Sequence, residues 1–306
     1  MNKAAKKWLI AAASLVVIGA ITFAAAMMAH HWDFSRLSTD RYETNTYEIS
    51  EDFSDIELNT ETADIIFAAS GDGACKVVCY EKENVKHSVS VRNGTLTISA
   101  ADDREWHGYI GISAHSPKVT VYLPKAEYAS LVIEESTGDI EIPNKIRFDS
   151  ADISLSTGDI RLSNMSAGTL GISSSTGEII VSDVTCTGDM TASVSTGEVK
   201  MMNVTCQNLL STGSTSDVYL RNVIAAEKLS VERSTGDLVF DSSDAAEIFV
   251  KTSTGDVTGS LLSEKVFITE SSTGDISVPK TVTGGKCEIK TSTGDIKIEL
   301  SDGADK

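Results

Sequence analysis

The chain has 306 residues and a formal net charge of −18 at pH 7, with 44 acidic and 26 basic side chains. A surface this acidic repels nucleic acid and anionic lipid headgroups, so we expect no nucleic-acid partner. The five cysteines are an odd number, which excludes a fully paired disulfide framework.

The N-terminal segment predicts a membrane anchor. Residues 1–7 carry three lysines and would form a cytoplasmic tail, and residues 8–29 contain no charged side chain. A helix of that length spans roughly 33 Å, enough for a hydrocarbon core of about 30 Å. The lysines favour a cytoplasmic N-terminus, which predicts a single-pass protein of the cell membrane whose C-terminal domain is extracytoplasmic. A cleaved signal peptide is the alternative, since Ala24 to Ala26 supply small residues.

Residues 30–46 are polar and are predicted to be a juxtamembrane spacer, and residues 47–130 show short alternating runs that predict a β-rich N-terminal cap. Asn93-Gly94 lies between two such runs and predicts a tight hairpin, because both turn residues need a positive φ. The segment Thr62 to Ile65 resembles a degenerate copy of the repeat that follows.

One loop of the cap, between residues 100 and 116, is dense in charged and aromatic residues. Trp106 and Tyr109 in this loop are candidate binding residues, because an exposed aromatic pair offers a contact point for a partner. Packing of these rings against the cap is the competing interpretation.

Residues 131–300 contain a Ser-Thr-Gly-Asp tetrapeptide that returns every 19 or 20 residues. In two copies Glu replaces Asp, and in the copy at Ser214 the glycine position is Ser216. The nine copies begin at Ser136, Ser156, Ser175, Ser195, Ser214, Ser234, Ser253, Ser272 and Ser292. A fixed period of this length is typical of a solenoid, in which each repeat buries its apolar face against its neighbours.

The spacing of apolar residues around the tetrapeptide is that of strands. Aliphatic side chains stand two and four positions after the glycine, as in Ile140 and Ile142, with polar residues between them. The sequence therefore predicts an all-β fold, a single-stranded parallel β-helix (β-solenoid) of about nine coils. A second corner is expected near Asn144, Asn164, Asn203 and Asn222. Residues 301–306 would form a C-terminal tail, and because no terminal helix covers the edge near 295–306, edge pairing between molecules is a hypothesis.

Stacking would place the acidic residues of the tetrapeptides in one column, where like charges repel. The structural explanation for their tolerance is that each carboxylate accepts hydrogen bonds from backbone amides of its own turn or from a Ser or Thr hydroxyl group of the next coil. The alternative is Ca²⁺ shared between coils, since oxygen ligands suit that ion. The candidate calcium ligands are Asp139, Asp159, Asp237, Asp256, Asp275 and Asp295. No other cofactor is expected.

Cys186 and Cys206 occupy equivalent positions in adjacent coils, so a disulfide between them is possible, as are two separate buried thiols. Catalysis finds little support, because all five histidines precede the repeats and none can act as a base beside the repeat serines. We therefore expect that the protein is not an enzyme; a polysaccharide-active enzyme is the less favoured alternative.

The N-terminal anchor, the Leu123 to Tyr128 segment and the Ser-Thr-Gly-Asp-Ile copies resemble a bacterial cell-envelope family of unknown function whose members are described as presumed adhesins. The resemblance covers about residues 45–300 and brings no catalytic residues with it. It implies a non-catalytic adhesin-like or scaffold protein whose partner is an envelope protein or a cell-wall component. An accessory or sensory component of an envelope-stress system is the alternative.

Overall fold

The computed structural model describes residues 3–29, 41–100, 116–143 and 145–301. It contains one helix, α1 (Lys3–Ala29), followed by strands. The strands are β1 (Tyr42–Ile49), β2 (Asp55–Asn59), β3 (Asp64–Ala69), β4 (Cys75–Lys82), β5 (His87–Arg92), β6 (Thr95–Ala100), β7 (Lys118–Leu123), β8 (Glu127–Thr137), β9 (Ile140–Ile142), β10 (Arg147–Thr157), β11 (Ile160–Ser163), β12 (Ser166–Cys186), β13 (Asp189–Thr235), β14 (Leu238–Lys251), β15 (Val257–Leu261), β16 (Lys265–Thr273), β17 (Ile276–Ser277), β18 (Gly285–Thr293) and β19 (Ile296–Leu300).

The repeats stack as parallel strands with equivalent positions in register, which confirms the predicted β-solenoid. β10 pairs with β8 on one side and β12 on the other, and Ile153 lies opposite Ile133 and Ile172. These inward aliphatic side chains are fully or almost fully buried and form continuous columns along the interior. Each such side chain contributes roughly 1.5–3 kcal/mol by leaving water, and this burial drives the stacking of coils.

The glycine of the tetrapeptide is required by the close approach of neighbouring coils. Gly177 has a φ of 142°, and a Cβ atom placed on it would lie 1.9 Å from the carbonyl oxygen of Gly158. Gly197 meets the oxygen of Gly177 in the same way. Any side chain here would both clash with backbone and occupy a conformation that L-residues avoid.

The second corner is built from polar residues with a left-handed backbone. Asn164, Asp183, Asn203 and Asn222 have φ values of 50–55°. Their side chains bond from coil to coil: the Asn203 amide donates to Asp183 over 2.8 Å, and the Asn222 amide donates to Asn203 over 2.9 Å. Asn and Asp tolerate this conformation better than other non-glycine residues. Asn144, predicted at the same corner, lies outside the described residues.

The cap continues the stack before closing it. β2 and β3 lie on β8 and β9 as a further parallel coil, and β6 and β7 form the next coil outward. The degenerate copy at residues 62–65 therefore does occupy a repeat position. Asn93 and Gly94 have φ values of 51° and 81° and join β5 to β6 as an antiparallel hairpin, as predicted.

Antiparallel strands cover the N-terminal end of the solenoid. β5 pairs with the outer edge of β6, β4 pairs with β7, and β1 pairs with β4. β1 begins at Tyr42, inside the stretch predicted as a spacer. The sequence of β1 is mostly polar, so it lacked the apolar alternation by which the other strands were predicted.

At the C-terminal end the order of coils differs from their order in the sequence. β18 pairs with both β14 and β16, and β19 pairs with both β15 and β17. The coil of residues 285–300 is thus inserted between the coil ending at Leu261 and the coil of residues 265–277. The prediction of an open edge near residues 295–306 was wrong in its position, because the last strand is internal and β16 and β17 form the outermost coil.

All five cysteines are buried free thiols. Cys186 and Cys206 lie in adjacent coils next to the aligned pair Thr185 and Thr205. The Cys186 thiol lies 3.2 Å from the carbonyl oxygen of Gly168. Of the two alternatives left open by the sequence, the structure contains the separate thiols.

Replacing Gly177 by alanine tests the close approach of coils. We expect a loss of about 2–4 kcal/mol in the free energy of unfolding, because the Cβ atom meets a backbone oxygen at a position with positive φ. Gly71→Ala is the matched control, since no atom lies within 4 Å of its Cβ position and its φ is not in the left-handed region. Urea unfolding followed by circular dichroism measures both, and equal losses in the two variants would contradict the explanation.

Candidate functional site: the acidic ladder and the polar interior

The acidic residues of the tetrapeptides form a hydrogen-bonded ladder along one corner. In most coils one carboxylate oxygen accepts the backbone N–H of the equivalent acidic residue in the adjacent coil. The donor-to-acceptor distances are 3.1 Å (Asp139 to Asp64), 2.9 Å (Asp159 to Asp139), 2.8 Å (Glu178 to Asp159), 2.8 Å (Asp237 to Asp217), 2.8 Å (Asp256 to Asp237), 2.7 Å (Asp295 to Asp256) and 2.9 Å (Asp275 to Asp295). The ladder begins in the cap, at Asp64, and follows the spatial order of the coils.

This geometry differs from the bonds expected from the sequence, which were amides of the same turn or hydroxyl groups of the next coil. A carboxylate that accepts an amide from the adjacent coil links two coils directly. Charge-assisted bonds of this kind are stronger than bonds between neutral groups, so they offset the repulsion between neighbouring acids.

Basic side chains neutralise part of the column. Arg161 contacts Asp159 at 2.7 Å and Asp139 at 3.7 Å. Lys200 lies 2.5 Å from both Glu178 and Glu198, which are the two positions where glutamate replaces aspartate. The longer side chain of glutamate reaches a shared lysine at these positions.

Lys297 pairs with the Asp295 carboxylate at 2.6 Å. This contact, together with the amide of Asp275, lowers the pKa of Asp295. Like Arg161 and Lys200, Lys297 stands two residues after the acid of its own tetrapeptide, so one outward position beside the corner supplies these cations.

The candidate calcium ligands Asp139, Asp159, Asp237, Asp256 and Asp295 each have one oxygen committed to an amide of the adjacent coil. Asp275 is the last member of the ladder, and its own N–H donates to Asp295. Calcium binding remains a prediction. The second oxygens of Asp139, Asp159 and Asp295 already contact Arg161 or Lys297, so a bound ion would compete with these cations. Trp106 and Tyr109, the predicted binding residues, lie outside the described residues.

The degenerate tetrapeptide at residues 214–217 makes room for a buried arginine. Arg233, in the next coil, is 6% exposed, and its guanidinium donates to the Ser211 hydroxyl over 2.7 Å. A Cβ atom on Gly213 would lie 3.2 Å from Arg233 Nε and 2.7 Å from the hydroxyl of Ser216. Ser211, Gly213 and Ser216 are small, and they leave the space that the Arg233 side chain fills.

Arg233 makes no ion pair with the residues that the structure describes, and its Nε atom and the Ser216 hydroxyl have no hydrogen-bond partner there. Burial lowers the pKa of the guanidinium to about 10. Arg233 was not among the residues predicted to be functional. A signal was available, since Arg233 follows Val231 by two positions and thus stands on the inward face of its strand.

A second polar cluster lies inside the cap, where Cys79, Glu81 and His87 are buried with their ligand atoms within 4.8 Å of one another. These residue types can bind zinc. However, one Glu81 oxygen lies 2.6 Å from both the backbone N and the Nδ1 of His87, and the other accepts from the Asn45 amide over 2.6 Å. Burial raises the pKa of the Cys79 thiol to about 12, so it is not a thiolate nucleophile. These bonds hold β1, β4 and β5 together.

Comparison with protein families identifies the chain. The profile of the Toastrack DUF4097 family matches residues 53–188 and again residues 185–306, which together cover nearly all of the solenoid and its cap. The chain belongs to the Toastrack DUF4097 family. The first match ends within the central coils and the second begins there.

Solved structures show the same Toastrack fold. A presumed adhesin from Parabacteroides distasonis has 13% sequence identity and a TM-score of 0.55, with 85% of this chain and 98% of that chain covered. A presumed lipid-binding protein from the same organism has 15% identity and a TM-score of 0.52, with coverage of 84% and 97%. Among curated proteins no sequence matches this chain.

Asp237 tests the structural role of the ladder, because its carboxylate accepts the Asp256 amide and its own amide donates to Asp217. Asp237→Ala removes the acceptor and should cost about 1–3 kcal/mol in the free energy of unfolding. Asp237→Asn is the matched control, because its carbonyl oxygen still accepts the amide, and it should lose less than half as much. Urea unfolding gives both values, and equal losses would contradict the amide-acceptor role.

The calcium prediction is tested on the same variants. If the second carboxylate oxygens bind Ca²⁺, added CaCl₂ should raise the Tm of the wild-type protein more than NaCl at equal ionic strength. The excess should be smaller in both Asp237 variants, since each removes one charged ligand. A shift no larger than that caused by Na⁺ would rule out the calcium prediction.

The pairing of Arg233 with Ser211 gives a further prediction. Ser211→Val alone should lower the free energy of unfolding by about 1–3 kcal/mol, because it removes one of two hydrogen-bond partners of a buried charge, the other being the Glu232 carbonyl oxygen. Arg233→Leu combined with Ser211→Val should recover wild-type stability or exceed it by about 1 kcal/mol or more, since an apolar pair replaces an uncompensated cation. Losses that simply add in the double variant, as measured by urea unfolding, would contradict this explanation.

Proposed function

We propose that this Toastrack protein is a non-catalytic, membrane-anchored, extracytoplasmic adhesin-like or scaffold protein that presents its β-solenoid surface to an envelope protein or a cell-wall component. The observation that carries the proposal is a continuous solenoid whose coils are built from repeated structural contacts, joined in one chain to a single apolar helix.

The anchor is supported by α1. Residues Ala5–Ala29 have a mean hydropathy of 2.4 in their most apolar window, and none of that window is buried against the rest of the protein. A helix that is apolar on all sides and exposed over nearly all of its described length is suited to a lipid environment or to removal as a signal peptide. The lysines at its N-terminal end support the orientation with the solenoid outside.

The non-catalytic role is supported by the state of three buried groups that could otherwise carry chemistry. Lys265 is almost fully buried and pairs with Asp244 at 2.6 Å, and Glu81 is saturated by His87 and Asn45. Burial raises the pKa of the Cys287 thiol to about 12. Groups engaged in this way hold strands together and are poorly suited to bind and release a proton during a reaction.

The long strands before each tetrapeptide supply the surface that fits a partner best. Their outward positions in the central coils carry small hydroxyl side chains in rows: the Thr169 hydroxyl donates to Ser150, Ser173 donates to Ser154, and Thr212 donates to Ser193. Short side chains at a regular spacing make a flat face rich in hydroxyl groups. Such a face suits an extended polar partner, and the negative charge of the protein favours a basic one.

Photo-crosslinking in intact cells tests the proposal. A photoreactive residue at the exposed position Thr191, on the long-strand face, should give covalent products with an envelope protein or a cell-wall fragment. The matched control is the exposed Glu141, which lies on a short strand after the tetrapeptide and should give several-fold fewer products.

Protease treatment of intact spheroplasts should remove the solenoid and leave cytoplasmic proteins undamaged. Protection of the solenoid from the protease, or crosslinks to cytoplasmic proteins alone, would overturn the proposed location. Products from Thr191 that contain only regulatory membrane proteins would instead favour the accessory or sensory role in an envelope-stress system.

A further inference from the structure

The two ends of the solenoid are unequal. At the N-terminal end, the outermost coil of β6 and β7 has its free edges covered by β5 and β4, and β1 continues the sheet with antiparallel pairing. Glu43 on β1 pairs with Lys86 at 2.6 Å, so charged side chains lie along this outer edge. Antiparallel strands and charges protect a sheet from further pairing.

The C-terminal end has no equivalent covering among the described residues. There β16 pairs with β18 and β17 pairs with β19, and neither strand has a second partner in the described part of the chain. Ile276 is 45% exposed, whereas Ile296, which occupies the same column one coil inward, is 0% exposed. Phe267 is likewise only partly buried, although its neighbour Cys287 is fully buried. The apolar columns of the interior therefore reach the surface here.

We infer that this end, formed by β16 and β17, is a self-association surface that pairs with the same end of a second copy of the chain. The two copies would be related by a two-fold axis, with β16 running antiparallel to β16 of the partner. The unpaired backbone groups of the edge would then form hydrogen bonds, and the exposed ends of the apolar columns would cover one another.

A second copy is favoured as the occupant because it presents the same cross-section. Its end coil offers strands of equal length and apolar columns at equal spacing, which an unrelated globular surface does not provide. The N-terminal end presents the antiparallel strands β1 and β5, with charged side chains beside β1, and so it does not match the parallel coil of β16 and β17. The contact is therefore isologous and closes as a dimer, without extension into a fibre.

The last residue that the structure describes lies away from this end. The backbone N of Ser301 donates to Leu261 on β15, which is on the side of β19 away from β17.

The test is the mass of the full-length protein in a density-matched detergent, measured by sedimentation equilibrium over a wide concentration range. The wild-type protein should shift from a mass near 32.6 kDa to twice that value as concentration rises. Ile276→Lys places a charge at the end of an apolar column and should raise the dissociation constant at least tenfold. Ile268→Lys, at a 48% exposed position on β16, should weaken association in the same direction.

Leu210→Lys is the matched control, because Leu210 is 41% exposed on a strand in the middle of the solenoid and the charge change is identical. It should dimerise like the wild-type protein, and circular dichroism should show that all variants keep their strands. A wild-type monomer at the highest concentration would overturn the inference. So would equal weakening by Leu210→Lys, undiminished association of both edge variants, or growth beyond the dimer.

Discussion

The structure depends on one constraint, the stacking of coils in register at the spacing of a parallel β-sheet, about 4.8 Å. At that spacing the backbone of each coil nearly touches the next, which leaves no room for a Cβ atom at Gly158 or Gly177. The same spacing brings each acidic side chain within reach of the amide of the adjacent coil, as from Asp159 to Glu178. Repeated glycines and repeated acids are therefore two results of a single geometry.

Much of the fold could be predicted because the repeated residues have specific requirements: glycine for a positive φ and aliphatic residues for burial. Asn93-Gly94 predicted its hairpin, and alternating aliphatic residues predicted the parallel strands. The order of coils at the C-terminal end could not be predicted, since β16 and β18 carry similar patterns and each would fit either place in the stack. β1 was missed because a polar edge strand has no apolar period to reveal it.

The site was less predictable, because hydrogen-bond partners depend on distances that a sequence does not contain. The sequence located the acidic column, but it did not indicate that most of its carboxylates accept an amide from the adjacent coil. Arg233 shows a further limit: in the sequence, Ser211 and Ser216 are only departures from the repeat, with nothing to indicate what they contact. In the structure they surround a side chain from the neighbouring coil. A residue that departs from the repeat should therefore be compared with the residues of the adjacent coil, about 20 positions away in the sequence, because these are its neighbours in the stack.

The insertion of the last coil between two earlier ones has a mechanical consequence. In a solenoid stacked in sequence order, the last coil has only one neighbour, so coils could unfold one at a time from the C-terminal end. Here β18 pairs with β14 and β16, and β19 pairs with β15 and β17. A force applied to the C-terminal end of β19 therefore acts on the hydrogen bonds of both neighbouring coils at once. Pairing on both sides therefore resists unfolding from the C-terminal end. The same order requires that the final segments of a newly made chain fold together, because β16 and β17 can pair only after β18 and β19 are in place.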